Sequence, residues 1–256
     1  MSLLWGVFAV ALGAIVGSFL NVCICRIPEE DESIISPASR CPSCRNAIKP
    51  YDNIPVLSYL ILRGKCRNCG CKISCRYPAV ELLTGLMALL SLWKFGLTLQ
   101  CLGAFLFICA LIVITFIDID HQIIPDVISL PGIPIFLLIA VFIMGVPWLD
   151  AFLGVLCGGG ILYVIAVGYE LVTKREGMGG GDIKLLGMLG AFLGWKSLFF
   201  ILLVGSLLGA VVGVALMAVK GRDMKYAVPF GPFLSAAAVL YLFVGDVLIH
   251  YFFEFI

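Results

Sequence analysis

Two aspartates stand at the margins of apolar segments, where a charged side chain is costly. Asp118 closes the apolar run 102–117, and Asp182 directly precedes the apolar run that begins at Ile183. An ionisable residue at the edge of a membrane-spanning helix indicates a functional site. Two carboxylates that share one proton suffice to activate water against a peptide bond. The pattern therefore favours an aspartic peptidase embedded in a membrane.

The residues around Asp182 support this hypothesis. Gly179, Gly180 and Gly181 precede it, and a backbone without side chains can approach and pair with an extended substrate. Asp182 can also act as the N-cap of the following helix, and the two roles are compatible. A glycine string with an aspartate is a weak signal alone. It becomes stronger when a second aspartate is expected at the same membrane face.

The Asp118 motif places three carboxylates and a histidine between two apolar segments, and we expect it to form a short inter-helix loop. Asp118 directly abuts the apolar run, so it should be partly desolvated. Pro125 suits the start of the next helix, with Asp126 in the first turn of that helix. For Asp120, His121 and Asp126, an ordinary solvated turn with acidic caps is the alternative interpretation.

The composition predicts that lipid surrounds most of the chain. Of 256 residues, 62% are hydrophobic and 13% are charged, and the mean hydropathy is +1.11. A soluble domain of this length cannot bury so much apolar surface. The net charge of +1 argues against nucleic acid as a partner. The run 3–20 has no basic residue ahead of it and no small-residue cleavage site, so we expect a retained helix.

Cysteines mark a second site in the polar stretch after the first apolar run. Two CxxC pairs, separated by 21 residues, are formed by Cys41 with Cys44 and by Cys66 with Cys69. Four thiolates at this spacing suit a tetrahedral zinc ion, and four protein ligands would make that zinc structural. Cys71 or Cys75 can substitute as a ligand, and redox-active dithiols are the competing interpretation. A loop of this size rarely folds without a metal or another staple.

The expected fold is an all-α polytopic membrane protein with about eight transmembrane helices and a small cytoplasmic zinc-binding loop domain. The expected spans are 5–24, 78–95, 99–117, 127–145, 148–172, 183–194, 197–219 and 230–252. A span needs about 20 apolar residues, so 183–194 is short for a full crossing. We divide the chain into a first transmembrane helix (1–25), a cytoplasmic four-cysteine zinc loop (26–77) and a membrane-embedded peptidase bundle (78–256).

Basic residues orient these spans. Nine of the 17 Lys and Arg residues lie within 26–76, which the positive-inside rule places in the cytoplasm. With eight crossings, the basic residues of 174–175 and of 220–225 also lie on the cytoplasmic side. If the span 183–194 did not cross the membrane, the basic residues of 220–225 would lie outside. Asp118 and Asp182 then both lie at the cytoplasmic face. Their separation of 64 residues does not prevent contact in a helix bundle.

Together these motifs resemble those of the bacterial prepilin peptidases, a family of GxGD aspartic peptidases of type IV pili and type II secretion. The resemblance runs nearly end to end. It includes Gly17-Ser18-Phe19-Leu20-Asn21-Val22 with Arg26-Ile27-Pro28, the paired CxxC motifs, Arg76-Tyr77-Pro78 with Glu81 and Thr84, the Asp118 loop up to Pro125-Asp126, and Met178-Gly179-Gly180-Gly181-Asp182-Ile183-Lys184-Leu185-Leu186.

The resemblance implies that Asp118 and Asp182 are the catalytic residues. The choice of Asp118 over Asp120 rests on motif alignment as well as on burial. Family members remove a short basic leader from a prepilin or pseudopilin at the cytoplasmic face of the bacterial inner membrane, without a covalent intermediate. Exposed acids such as Asp120 and Asp126 can attract that leader. The family's four-cysteine pattern matches Cys41, Cys44, Cys66 and Cys69.

The resemblance also implies a second activity, methylation of the new N-terminal residue with S-adenosylmethionine. No GxGxxG motif of a soluble nucleotide-binding fold is present in the sequence. The resemblance places this activity in the N-terminal region, where Glu81 can orient a cofactor amine or the nascent amino group. The alternative for Glu81 is a residue in the first turn of a helix, favoured by the helix dipole.

Two other function classes remain open at this point. An intramembrane protease of the presenilin and signal-peptide-peptidase type shares the GxGD motif, but it expects a tyrosine before the first aspartate, where this chain has Ile117. A transporter or assembly factor could use Asp118 and Asp182 as proton-relay carboxylates. It would show an ion flux and no peptide product. The sequence leaves open the oligomeric state, the particular pilin, and whether pili, secretion or competence is served.

Overall fold

The computed structural model describes residues 3–29, 40–41, 43–173, 179–220 and 228–253, and these residues form helices with only two isolated β-bridges. The helices are α1 (Leu3–Arg26), α2 (Leu57–Ile61), α3 (Arg76–Phe95), α4 (Leu99–His121), α5 (Asp126–Ile139), α6 (Trp148–Thr173), α7 (Gly180–Leu193), α8 (Trp195–Lys220) and α9 (Gly231–Phe253). A 3₁₀ turn, Pro50–Asn53, precedes α2, and a π-helical turn, Ala140–Met144, extends α5. The all-α prediction is confirmed.

Each of the eight apolar segments expected from the sequence is a helix. Six helices are long and apolar enough to cross a membrane, and the chain is a multi-pass membrane protein. α7 has 14 residues, and the apolar part of α9 that the structure describes, Gly231–Gly245, is also short. The count of eight crossings therefore stays a prediction. Met178 and four of the basic residues that oriented the spans lie outside the described residues: Lys174, Arg175, Arg222 and Lys225.

Residues 1–113 form one compact unit, in which α1 packs along α3. The two helices come close because Gly17 faces α3, where a Cβ on it would lie 2.8 Å from the Glu81 Cα. Small residues permit such contacts between helices in lipid. The Asn21 side-chain amide donates to the Tyr77 carbonyl at 3.1 Å. Helix packing thus explains part of the motifs around Gly17 and Tyr77.

Residues 114–256 form a second unit, and the boundary between the units falls within α4. In the second unit α5, α6, α8 and α9 all contact α7, whose residues 185–192 are buried. α6 and α7 meet backbone to backbone where Gly154 faces Gly190, because a Cβ on either would collide with the carbonyl group of the other. A helix of only 14 residues therefore has a well-packed position, which fixes the side chains of its first turn.

Candidate active site

Asp118 lies in the last turn of α4 and is only 5% exposed. The expectation that Asp118 opens an inter-helix loop is wrong, because α4 continues to His121. Nothing breaks the helix before Gln122, which has a left-handed φ of 56° and whose N–H donates to the Asp118 carbonyl at 2.9 Å. Such a residue ends a helix. Asp118 is therefore held by a helical backbone, and the predicted burial is observed.

Asp182 lies in the first turn of α7 and is partly buried. Gly179 is the N-cap of this helix, and its carbonyl accepts the Asp182 N–H at 3.2 Å. The alternative role of Asp182 as the N-cap is therefore wrong. Asp182 and Asp118 are close enough for the charge of one carboxylate to act on the other. α4 and α7 thus bring the two predicted carboxylates into one site.

Gly231 completes the surroundings of Asp118, and the sequence interpretation missed it. This glycine is the first residue of α9, and its backbone N–H donates to Asp118 Oδ2 at 3.0 Å. A Cβ on Gly231 would lie 2.6 Å from that same oxygen. The signal in the sequence was a glycine next to a proline at the start of an apolar segment, in Pro229-Phe230-Gly231-Pro232.

The three glycines before Asp182 have different surroundings. A Cβ on Gly181 would lie 2.9 Å from the Cβ of Ile124, in the loop between α4 and α5. Gly179 and Gly180 are exposed, and a Cβ on either would meet no atom of the described residues within 4 Å. Packing therefore requires glycine at position 181, whereas the backbone of the other two is accessible.

The acidic residues near Asp118 also differ from one another. Asp126 begins α5, as predicted, and its two carboxylate oxygens lie 2.7 and 2.8 Å from Lys184 Nζ on α7. Both side chains are partly exposed, so this ion pair contributes at most about 1 kcal/mol to stability. It still joins the first turns of α5 and α7. Asp120 and His121 are exposed in the last turn of α4.

The cysteine loop contains two turns, at 41–46 and 66–71, whose described residues share the same backbone contacts. In each turn, the first cysteine makes two backbone hydrogen bonds, with the residues four and five positions later, between 2.8 and 3.0 Å. In each, the residue after the second cysteine has a positive φ, namely Arg45 and Gly70. An isolated β-bridge closes each turn, Arg40 with Ala47 and Lys65 with Lys72. The two CxxC pairs are therefore two copies of one structural unit.

The backbone of these turns favours thiolates at their first cysteines. Hydrogen bonds from the N–H groups of Cys44 and Ser43 lower the pKa of the Cys41 thiol to about 6. The equivalent N–H groups of the second turn lower the pKa of Cys66. The thiolate is the form that binds a metal ion. The backbone thus prepares the first cysteine of each turn as a metal ligand.

Five cysteine sulfurs converge between the two turns. Four of them lie within 4.8 Å of one another: Cys41, Cys66, Cys69 and Cys71. The predicted ligand Cys44 is outside this group, but its thiol interacts with those of Cys41, Cys69 and Cys66. Cys41 Sγ lies 3.8 Å from Cys69 Sγ and 3.4 Å from Cys71 Sγ. Tetrahedral zinc with Zn–S bonds of about 2.3 Å needs sulfurs ~3.8 Å apart, so the donor set fits zinc.

Glu81 is buried in α3, and its carboxylate already has protein partners. The Val56 N–H donates to Glu81 Oε2 at 2.8 Å, and the Ser18 side chain is a second hydrogen-bond partner. Val56 has a φ of 61°, which is strained for a β-branched residue. The alternative of a first-turn residue is wrong, because α3 begins at Arg76 and has no acidic residue in its first turn. Glu81 instead holds the strained start of α2 against α1 and α3.

Glu81→Ala should lower the free energy of unfolding by about 1–3 kcal/mol, because it removes the acceptor of the Val56 N–H. Glu81→Gln retains an acceptor oxygen and should remain close to the parent protein. Thermal unfolding of both variants in detergent micelles measures the difference. An alanine variant as stable as the parent, but unable to methylate, would assign Glu81 to the methyl donor instead.

Comparison with known proteins adds independent information. The model for the bacterial peptidase A24 N-terminal domain matches residues 11–95, and the model for the type IV leader peptidase family matches residues 105–214. Proteins named prepilin leader peptidase/N-methyltransferase are similar over nearly the whole chain. One from Pseudomonas putida is 39% identical over 93% of this chain and 90% of its own length. One from Neisseria gonorrhoeae is 39% identical over 93% of this chain and 90% of its own.

A third such protein, from Pseudomonas aeruginosa, is 38% identical over 93% of this chain and 89% of its own length. No solved structure matches the chain. The ranges matched by the two family models, 11–95 and 105–214, fall in both compact units and span the cysteine turns and the positions of Asp118 and Asp182. The paired aspartates and the family matches lead to the same conclusion: the chain belongs to the type IV leader peptidase family.

Proposed function

We propose that this protein is a membrane aspartic endopeptidase that removes the leader peptide from type IV prepilins or pseudopilins and then methylates the new N-terminal residue. The observation that carries the proposal is the meeting of Asp118, at the end of α4, with Asp182, at the start of α7. The names of the similar proteins supply the substrate class. A proton-relay transporter is not favoured, because the family consists of leader peptidases.

In the proposed reaction the two aspartates act as general base and general acid. The ionised carboxylate accepts a proton from water as the water attacks the scissile carbonyl. Its protonated partner donates a hydrogen bond to the carbonyl oxygen and helps to deliver a proton to the leaving amine. Two such groups in one site titrate as a pair. The reaction therefore needs the pair to hold a single proton.

The substrate backbone would approach the first turn of α7. Gly179 and Gly180 are exposed and open, so an extended peptide can lie against their backbone close to Asp182. Asp120 and Asp126 can attract a basic leader. Asp126 is paired with Lys184, yet its side chain remains partly exposed.

Alanine at two adjacent glycines should have opposite effects on stability. Gly181→Ala should destabilise the protein by about 1–3 kcal/mol, because its Cβ collides with Ile124. Gly180→Ala should be neutral or stabilise by up to about 1 kcal/mol, since alanine is the better helix former and its Cβ meets open space. For Gly180→Ala we expect a raised KM for leader cleavage. Thermal unfolding and steady-state kinetics in detergent micelles measure both effects, and an unchanged KM would contradict the role in substrate binding.

We propose the site at the cytoplasmic face of the bacterial inner membrane, because the basic stretch 26–76 belongs in the cytoplasm under the positive-inside rule. In this proposal 1–25 is the first membrane helix, 26–77 is the zinc loop and 78–256 carries the peptidase. Zinc would be structural, held by Cys41, Cys44, Cys66 and Cys69. Its role is to fold the loop, and four protein ligands leave no position open for substrate.

The proposed methylation requires S-adenosylmethionine, and one large cavity is available to test for it. A cavity of about 1260 Å³ lies between α1, α3 and the segment 50–57, and its lining is apolar apart from Ser18 and Asn53. S-adenosylmethionine carries a sulfonium, an ammonium and a carboxylate, and buried charges need partners. The lining does not fit this cofactor. We therefore assign no step of methyl transfer to the cavity.

A reconstituted assay tests the proposed function. The purified protein in micelles or liposomes is mixed with a prepilin, and mass spectrometry follows the mature pilin with and without S-adenosylmethionine. We expect leader removal in both cases, and a gain of one methyl group only when the methyl donor is present. Absence of cleavage by a folded, zinc-loaded protein, or an ion flux without a peptide product, would overturn the proposal.

A further inference from the structure

The first turn of α9 has one backbone N–H that is free to donate outside the helix, and Asp118 accepts its hydrogen bond. A helix leaves its first N–H groups without partners inside the helix. Here Pro232 has no N–H, and the N–H groups of Phe233 and Leu234 donate to the Phe230 carbonyl at 3.1 and 3.2 Å. The Gly231 N–H is therefore the remaining donor of this turn. It lies 3.0 Å from Asp118 Oδ2, inside the buried part of the site.

Asp182 receives no equivalent hydrogen bond from the part of the chain that the structure describes. Among the residues that the structure describes, no hydrogen bond to its side chain is present, and the charged group that acts on it is Asp118. A backbone N–H stabilises the charged form of a carboxylate. A nearby like charge disfavours ionisation of the second carboxylate. The two members of the pair are thus unequal, and a single proton should reside on Asp182.

We propose that the Gly231 backbone N–H makes α9 the third component of the active site, fixing Asp118 as the ionised general base and leaving Asp182 as the protonated general acid. Gly231 is a positioning residue, because it acts through Asp118. The proposal rests on the peptidase function proposed above, and it adds the roles of the two aspartates. It also explains why glycine stands at position 231, where a Cβ would displace the carboxylate.

The surrounding charges permit this assignment. Asp118 lies at the negative end of the α4 dipole and at the positive end of the α9 dipole, so the two dipoles act on its charge in opposite directions. The direct hydrogen bond from the Gly231 N–H is then the interaction that favours its ionised form. The positive end of α7 lies at Asp182 and opposes the assignment, but it acts without a hydrogen bond to that side chain. Lys184 and Asp126 neutralise each other. The sequence 231–240 of α9 has no ionisable residue, and Glu170 on α6 is exposed.

Gly231→Ala tests the proposal through the pH dependence of leader cleavage. The added Cβ would push the Asp118 carboxylate away from the backbone N–H at position 231. The loss of this hydrogen bond destabilises ionised Asp118, so the acidic limb of the kcat/KM profile should move to higher pH while the basic limb stays in place. At neutral pH, kcat/KM should fall by about 10- to 100-fold. Gly213→Ala in α8 is the matched control, because a Cβ at Gly213 meets no described atom within 4 Å, and it should leave both limbs unchanged.

A second measurement does not depend on cleavage. Infrared spectroscopy of the folded protein without substrate follows protonation of the buried carboxyl groups with pH. We expect two steps for the pair, and only the lower step should move, to higher pH, in Gly231→Ala. If only the titration step at higher pH moves, Asp118 is the general acid. If neither titration step moves, Gly231 does not act on the pair. Either result overturns the proposal. A protein that shows the expected shift but cleaves no prepilin would retain the assignment and refute the proposed function.

Discussion

Asp118→Asn and Asp182→Asn should each reduce leader cleavage by about 10³-fold or more, although both variants fold and insert into the membrane. An amide cannot accept the proton of the attacking water in the role of the base. In the role of the acid it cannot release a proton to the leaving amine. Each change removes one half of a general acid–base pair, whose contributions are commonly 10²- to 10⁴-fold.

The double variant should be no less active than the less active single variant, because the two groups act as a unit. Asp150→Asn is the matched control. Asp150 lies in the first turn of α6, where it accepts a hydrogen bond from Trp195 Nε1 at 3.2 Å, and its loss should leave cleavage within about twofold. Initial rates of leader removal from a purified prepilin measure all four variants. Cleavage at a tenth of the parent rate or more in either single variant would refute the catalytic assignment.

Cys44→Ser should lose nearly all bound zinc, whereas Cys71→Ser should retain about one equivalent. The reason is the equivalence of the two turns. Cys44 occupies the position in 41–46 that Cys69 occupies in 66–71, whereas the residue equivalent to Cys71 in the first turn is Asn46. In the proposed site, two copies of one turn would supply two ligands each, which is the number that four-coordinate zinc needs. Metal analysis of the purified variants by atomic emission measures the zinc content.

Zinc loss should also release the segment beside the second turn. Arg67 lies in that turn and makes a bidentate contact with Asp52, with nitrogen–oxygen distances of 2.6–3.0 Å. Asp52 belongs to the 3₁₀ turn ahead of Val56, whose N–H reaches Glu81. Limited proteolysis between 40 and 75 should therefore become faster in Cys44→Ser and after chelation. The opposite result, in which Cys71→Ser loses zinc and Cys44→Ser keeps it, would contradict this prediction. The ligands would then be the four cysteines whose sulfurs lie within 4.8 Å of one another, a group that includes Cys71 and not Cys44.

Much of the fold could be predicted because lipid imposes strict requirements on sequence. A backbone in lipid must satisfy its own hydrogen bonds, so each apolar run of sufficient length becomes a helix. This is why 78–95 and 148–172 agree with α3 and α6 within two residues. The error at α4 arose because an acidic residue was taken as the end of the apolar helix. The backbone continues through Asp118 until Gln122 adopts a left-handed conformation.

The roles of single side chains were harder to predict, because they depend on partners distant in the sequence. The prediction that Glu81 can orient a cofactor amine or the nascent amino group stays a prediction, whereas its backbone partner 25 positions earlier, the N–H of the strained Val56, was not foreseen. Asp126 was expected to attract substrate, and it faces Lys184, 58 positions away. Neither pairing has a local sequence signal, because helix packing alone decides which turns become neighbours.

Composition, periodicity and spacing were enough to predict the membrane environment, the helices and the two CxxC pairs, because each of these features is local in the sequence. The choice of Asp118 and Asp182 as the catalytic pair rested in addition on the resemblance to a family. Packing of the folded chain alone places the N–H of Gly231, 113 positions beyond Asp118, against that carboxylate. It also decided that Gly181 is required by contact with Ile124, whereas Gly179 and Gly180 face open space. The physical reason is that close approach is a property of packed pairs, and a chain shows its pairs only after it folds.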